Sequence, residues 1–130
     1  DDMRLDNSYT HISLSISNPN THLLNAFVRR GNIKNPIILE INPELLWKEP
    51  RDFIFCQTNA AAKHCNKGKD RRALEAMFAQ NVSYNVSYGT KHFNRNLLSK
   101  SKYEPTDEQA EILWEGCVKP QYIIKYYRYY

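Results

Sequence analysis

The chain has 130 residues, of which 42% are hydrophobic and 25% are charged, as is usual for one soluble globular domain. No apolar run approaches the ~20 residues that span a bilayer, and no signal-peptide pattern opens the sequence, so we expect no membrane contact and a cytoplasmic location. Three scattered cysteines do not form a disulfide framework, and no second ligand pair accompanies His64 and Cys65, so no metal site is expected.

The first ten residues are polar and resemble the end of a loop, so we expect upstream sequence to be missing. The stretch "HISLSIS" (11 to 17) alternates between polar and apolar residues, which predicts a half-buried strand. In the following "NPN", Asn18 is expected to cap a helix with Pro19 in its first position, and Gly31 is placed to end that helix.

The rest of the chain mixes short apolar runs with short helical patterns, which predicts an α+β domain. Short helices are expected in "NPELLW", in the alanine-rich "TNAAAKHC" after Thr58 or Asn59, and after Asp70. Residues 89 to 109 are expected to form a long, basic, aperiodic connection, and connections of this length are often functional. Further strands are predicted over residues 36–41, 52–57, 81–88 and in the two stretches "QAEILWEG" and "YIIKYYRYY".

Glu111 is the leading candidate for catalysis because it interrupts the strand-like "QAEILWEG". Alternation places Gln109, Glu111 and Leu113 on one face and the apolar Ile112 and Trp114 on the other. A carboxylate held in this way could orient a proton or stabilise a positively charged sugar. The alternative is that Glu111 lies on the solvated face of an edge strand.

The basic connection is the leading candidate for binding nucleic acid, and a net charge of +4 with nine tyrosines is compatible with such a partner. Its cations can follow a phosphate backbone while its aromatic rings stack on bases. The alternative is a solvated mobile loop. The candidate residues are Lys91, His92, Arg95, Lys100, Lys102 and Tyr103.

Several stretches, in this order, resemble one family, the DarT DNA ADP-ribosyltransferase toxins. They are "RLDNSYTHISLSISNPN", "ILEINPELLW", "FIFCQTNAAA" and "TDEQAEILWEGCVKPQYI", which span most of the chain. The resemblance implies an ADP-ribosyltransferase-like fold, a split mixed β-sheet with flanking short helices, and NAD bound in its cleft as the ADP-ribose donor. It also implies transfer onto a base of single-stranded DNA, thymidine in most members, by a toxin that a macrodomain antitoxin opposes.

The same resemblance assigns roles to particular residues of a single domain covering 1–130, which we expect to be a monomer. Glu111 corresponds to the catalytic glutamate, and Arg4 in "MRLDN" corresponds to the catalytic arginine. The segment 89–108 corresponds to a substrate-contacting loop. The residues implied to border the NAD cleft are Asn20, Asn59 and Gln109.

Two features depart from the family pattern. Its first strand carries a histidine that helps to hold NAD, and nothing similar precedes Arg4, while Leu23-Leu24 stand where members often have bulkier residues. The first departure predicts a domain that lacks this strand. It also leaves open a rival function, a catalytically inactive module that only binds nucleic acid. A second rival is a small ribonuclease that uses His92 or His11.

Overall fold

The computed structural model describes residues 11 to 129. Arg4 therefore lies outside the described residues. The elements, in chain order, are β1 (His11–Ser15), α1 (Thr21–Arg29), β2 (Ile37–Ile41), α2 (Leu45–Lys48), β3 (Phe53–Cys56), β4 (Lys67–Gly68), α3 (Arg71–Ala76), β5 (Asn81–Val86), β6 (Gly89–Asn94), β7 (Glu111–Glu115), a 3-10 helix (Pro120–Tyr122) and β8 (Ile123–Arg128). The predicted α+β class is confirmed. None of the helices among these residues is long and apolar enough to cross a membrane.

The largest sheet places the strand of Glu111 in its interior. Its strand order is β1-β7-β3-β4, so β7 is paired on both sides. Glu111 lies opposite Ser15 of β1 and opposite Cys56 of β3. The alternative of a solvated edge strand is therefore wrong, because both edges of β7 are hydrogen-bonded and its residues 111–114 are buried.

Two further pairs of strands complete the described sheets, β2 with β8 and β5 with β6. The separate β2–β8 pair agrees with the expected split sheet. Every strand pair among residues 11–129 is antiparallel, whereas a mixed sheet was predicted.

Both faces of β7 are packed, which explains its continuous burial. Ile112 joins a cluster with Phe55 and Met77, and Trp114 packs with Leu45 and Tyr122. On the opposite face, Leu113 packs with Cys56 and Ala60. The alternation predicted from "QAEILWEG" is thus confirmed, and it puts Glu111 on the same face as Leu113.

The helix starts agree only in part with the sequence prediction. The cap of α1 is Asn20, whose Oδ1 accepts from the Leu23 amide at 3.1 Å, so the helix begins two residues later than expected from Asn18. Asp70 caps α3 as predicted, accepting from the Ala73 amide at 3.0 Å. The alanine-rich stretch 58–65 forms turns rather than a helix.

The connection expected over residues 89–109 begins later than predicted, because Gly89–Asn94 form strand β6. This strand pairs with β5 in a hairpin whose last register pair is Val86 and Gly89. The irregular connection to β7 is therefore limited to residues 95–110, which we call the β6–β7 loop.

Candidate active site

Two segments that are distant in the chain donate hydrogen bonds to the Glu111 carboxylate. Its Oε2 accepts a hydrogen bond from the Ser13 hydroxyl at 2.7 Å, and its Oε1 accepts one from the Ala60 amide at 3.0 Å. The residue is 8% exposed. Ser13 comes from β1 and Ala60 from the turn after β3, so the β1–β7 register and this turn together fix the carboxylate's orientation. Each oxygen retains acceptor capacity for another donor, such as a ribose hydroxyl.

A second buried carboxylate ties together the two irregular segments beside this site. Asp107 and Thr58 are almost completely buried. Asp107 Oδ2 accepts from the Thr58 hydroxyl at 2.5 Å, and Oδ1 accepts from the Gln109 amide at 2.9 Å. The Asp107 carbonyl also accepts from the Ala110 amide at 3.0 Å. These bonds join the turn that carries Ala60 to the last residues of the β6–β7 loop before Glu111.

The residues predicted to border the NAD cleft lie in different settings. Asn59 directly precedes Ala60, and its Oδ1 accepts from the Ala61 amide at 2.9 Å, which shapes the turn. Gln109 is half-buried two residues before Glu111. Both are thus next to backbone that builds the Glu111 site. Asn20 instead uses its side-chain oxygen to cap α1.

The β6–β7 loop is organised by Arg95, one of the predicted DNA contacts. Its Nη1 donates to the Glu104 carbonyl at 2.7 Å and to the Thr106 hydroxyl at 3.0 Å. Its Nη2 donates to the Ser101 carbonyl at 2.6 Å, and the guanidinium lies 5.9 Å from the centre of the Phe78 ring. Both terminal nitrogens of the guanidinium donate hydrogen bonds to groups of the loop. Arg95 therefore holds the loop in shape in addition to supplying positive charge.

The other predicted DNA contacts fall into two groups. Lys91 and His92 lie on β6 instead of in a loop, and His92 Nδ1 is hydrogen-bonded to the Ser83 hydroxyl at 2.5 Å. Lys100, Lys102 and Tyr103 lie in the β6–β7 loop. The Lys102 ammonium stands 4.9 Å from the centre of the Tyr103 ring, which is 67% exposed.

The β6–β7 loop passes the end of the sheet where Glu111 lies. The Ser17 hydroxyl donates to the Tyr103 carbonyl. Ser17 follows β1 by two residues, and the last residue of β1, Ser15, is the register partner of Glu111. The exposed cation and ring at 102 and 103 are therefore attached to the same end of the sheet as the buried carboxylate.

A cleft of about 760 Å³ lies elsewhere. It separates β1 from the β2–β8 pair, and most of its lining residues are apolar, such as Ile38 and Ile112, although Ser15, Ser17 and Glu40 also line it. Ser13 touches this cleft, but Glu111 does not line it. We assign the site from the Glu111 carboxylate rather than from the cleft, because both oxygens of Glu111 are held by donors from other segments.

One group of possible metal ligands occurs among residues 11–129, formed by His11, Asp52 and Glu115. Their donor atoms all lie within 4.8 Å of one another. The Lys69 ammonium contacts Asp52 Oδ2 at 2.7 Å and supplies positive charge there. The group is at the opposite end of β7 from Glu111, so it is not part of the candidate active site.

One known protein family matches this chain over nearly its whole length. The family model described as DarT, ssDNA thymidine ADP-ribosyltransferase, matches residues 9–129. The chain belongs to the DarT family. A search of the curated proteins found no match. The expected activity is that of the DarT family, an NAD-dependent transfer of ADP-ribose to thymidine in single-stranded DNA by a toxin of a toxin–antitoxin system.

The hydrogen bonds around Glu111 also show which site residues the sequence did not predict. Ser13, Ala60, Thr58 and Asp107 were not among the predicted site residues, although all contribute to the surroundings of Glu111. One signal was available for Ser13, because the alternation in "HISLSIS" puts its serines on one face. No sequence pattern marks Ala60, which acts through its backbone.

Proposed function

We propose that this chain carries out the DarT-family reaction with Glu111 as its catalytic carboxylate. The observation that supports the assignment is a buried glutamate in a central strand with both oxygens held by donors from other segments. A glutamate that only met solvent would need no such support. An inactive module that only binds nucleic acid would not need a buried carboxylate oriented in this way.

The proposed reaction replaces one bond to the ribose carbon by another. The bond to nicotinamide breaks, and the bonding electrons leave with nicotinamide while positive charge develops on the ribose. Glu111 accepts a hydrogen bond from a ribose hydroxyl and stabilises that charge electrostatically. A thymine ring nitrogen then attacks the ribose carbon, and its proton passes by way of the Glu111 carboxylate to solvent.

The described residues fit NAD at one point, because the Glu111 carboxylate can accept a further hydrogen bond from a ribose hydroxyl. We propose that Asn59 and Gln109 contact the nucleotide from the two segments that flank the carboxylate. Asn20 is proposed to border the same cleft through the amide group that does not cap α1. Arg4, outside the described residues, is proposed as the cation that steadies the phosphates or the base.

We propose that single-stranded DNA crosses the β6–β7 loop, with Tyr103 stacking on a base and Lys100 and Lys102 contacting phosphates. The support is the exposed ring and ammonium attached to the Glu111 end of the sheet. Lys91 and His92 would extend this contact onto the β5–β6 hairpin.

The ribonuclease rival gains no support from the described residues. His11 lies on β1 and His92 on β6, in different sheets. The partners and setting of the toxin are further proposals: it acts as a monomer in the cytoplasm without a metal ion, and a macrodomain antitoxin removes its product.

An intact-mass assay with NAD tests the proposed function. The protein is incubated with a single-stranded oligonucleotide that contains one thymidine and, in parallel, with the same oligonucleotide carrying deoxyuridine or cytidine there. We expect the thymidine strand to gain one ADP-ribose and fragmentation to locate it on that base. A protein that binds the strand but adds no mass in the presence of NAD would support the inactive module instead.

A further inference from the structure

Two cysteines lie together at the base of the turn that carries Ala60. Cys56 ends β3 and is fully buried, and Cys65 is half-buried just before β4. The Cys65 thiol contacts the Thr58 and Asn66 carbonyls, each at 3.6 Å, and Cys65 packs against the buried cluster that contains Cys56. The Gln57 amide donates to the Asn66 carbonyl at 3.0 Å, which closes the turn 57–65 between them.

This thiol pair adjoins the Glu111 site. Cys56 is the register partner of Glu111 across β3 and β7. Cys56 also packs in one cluster with Ala60 and Leu113, and Cys65 borders that cluster. The turn between the two cysteines contains Thr58, which binds Asp107, and Ala60, which binds Glu111.

We propose that Cys56 and Cys65 form a reversible disulfide under peroxide stress, and that this modification disables the Glu111 site. The third cysteine, Cys117, is exposed and lies outside this cluster. Cytosolic disulfides are commonly transient and redox-sensing, which fits a pair that is reduced in the resting protein.

The environment gives the two thiols different roles in the reaction. The neighbouring Cys56 thiol lowers the pKa of the Cys65 thiol below its ordinary value, helped by the Thr58 backbone and the charge of Lys67. The neighbouring Cys65 thiol and, after it, burial raise the pKa of the Cys56 thiol. Cys65 is therefore the thiolate nucleophile, and Cys56 is the resolving thiol.

The proposed oxidation uses hydrogen peroxide as the two-electron oxidant. The Cys65 thiolate attacks one peroxide oxygen, the O–O bond breaks, and hydroxide leaves, which gives a sulfenic acid at Cys65. The Cys56 sulfur then attacks the Cys65 sulfur. Its proton and the sulfenic hydroxyl leave as water, and the disulfide remains.

The bond would affect the site through the turn. Cys56 is held in β3 between β7 and β4, so the turn 57–65 must move when the two sulfurs reach covalent distance. That movement withdraws the Ala60 amide from Glu111 Oε1. The loss of activity rests on the proposed function, whereas formation of the bond does not.

The test uses a Cys117→Ser background, which removes the exposed thiol, with hydrogen peroxide as the probe. Peptide mapping without reduction should show a Cys56–Cys65 cross-link that dithiothreitol reverses and that Cys65→Ser or Cys65→Ala prevents. Hydrogen–deuterium exchange should be faster in the peptide containing Ala60 after oxidation. Transfer should fall by roughly tenfold or more, as for loss of one hydrogen bond to a charged group, and return on reduction.

The outcomes separate this inference from the proposed function. Sulfinic acid at Cys65 with no cross-link overturns the proposal, whatever the activity. A cross-link with unchanged transfer and unchanged exchange at Ala60 also overturns it. If the reduced protein shows no transfer, the proposed function fails. The cross-link and the exchange measurement then still decide whether the disulfide switch exists.

Discussion

The Ser13 hydroxyl donates to Glu111 Oε2 at 2.7 Å, although the two residues are 98 positions apart in the chain. They meet because β1 and β7 pair with Ser13 opposite Leu113, which makes Ser13 and Glu111 diagonal neighbours on one face. The carboxylate is therefore oriented by the sheet register. A shift of one residue in this pairing would move Ser13 to the opposite face.

Removing the Ser13 hydroxyl should impair transfer more than it impairs folding. A hydrogen bond to a charged group is worth about 1.5–3 kcal/mol, so we expect Ser13→Ala to lower kcat/KM by roughly ten- to a hundredfold. Ser15→Ala is the matched control, since Ser15 is on the same strand and face and is exposed. Equal kinetic effects of the two substitutions would contradict the role given to Ser13.

The bond between Thr58 and Asp107 should matter for stability and for the site together. Thr58→Val keeps the side-chain shape but leaves buried Asp107 Oδ2 without this donor, and we expect a cost of about 1–3 kcal/mol in the free energy of unfolding. Thr90→Val removes an exposed hydroxyl contact on β6 and should change little. Urea unfolding followed by fluorescence measures both variants. An unchanged midpoint for Thr58→Val would show that the bond does not stabilise the fold.

Arg95 should be distinguishable from the other cations by its geometry. Arg95→Lys keeps the charge but cannot reproduce the fork that binds the Glu104 and Ser101 carbonyls. We therefore expect a lower melting temperature and faster proteolysis within 95–110, with Arg72→Lys on the exposed face of α3 as the control. If Arg95→Lys melted like the control and lost only DNA affinity, Arg95 would be a DNA contact without a structural role.

The loop lysines should act through phosphate charge. Each phosphate contact to a single strand contributes about 0.7 to the slope of log affinity against log salt. Replacing Lys100 and Lys102 together by alanine should thus reduce that slope by about 1.4 and weaken binding to all sequences alike. The control pair, Lys34→Ala with Lys125→Ala, removes the same charge elsewhere, where Lys125 pairs with Glu40. Fluorescence anisotropy at several salt concentrations measures DNA binding by the two double variants. Identical salt slopes for the two would mean that the DNA does not contact the loop.

The sequence predicted those features of the fold that depend on local patterns, such as strand alternation and helix capping. Alternation put Glu111 and Leu113 on one face, and Asp70 was recognisable as a helix cap. The β5–β6 hairpin was missed because Ser87-Tyr88 lacks the Asn-Gly or Asp-Gly signature of two-residue turns. The first cap was misplaced by two residues because "NPN" offers two asparagines, and the structure uses the second, Asn20.

The partners of Glu111 could not be predicted from the sequence because they depend on long-range pairing. Ser13 reaches it through the β1–β7 register, and Ala60 reaches it through the backbone of a turn whose composition favours a helix. Composition gave the alanine-rich stretch a helical preference, but the bond from Thr58 to Asp107 and the closure by Gln57 and Asn66 hold it in turns. Tertiary contacts here outweigh local propensity.

The most direct test compares Glu111→Gln with Glu115→Gln in the intact-mass transfer assay with NAD and a thymidine-containing single strand. The two residues lie on the same strand, but Glu111 is buried and Glu115 is exposed. We predict that Glu111→Gln lowers transfer by roughly a hundred- to a thousandfold, as for loss of one electrostatic stabiliser, while its melting temperature and DNA affinity stay near those of the unmodified protein. Glu115→Gln should transfer normally. Transfer by Glu111→Gln at the rate of the unmodified protein would contradict the account, because the buried carboxylate would then have no part in the chemistry.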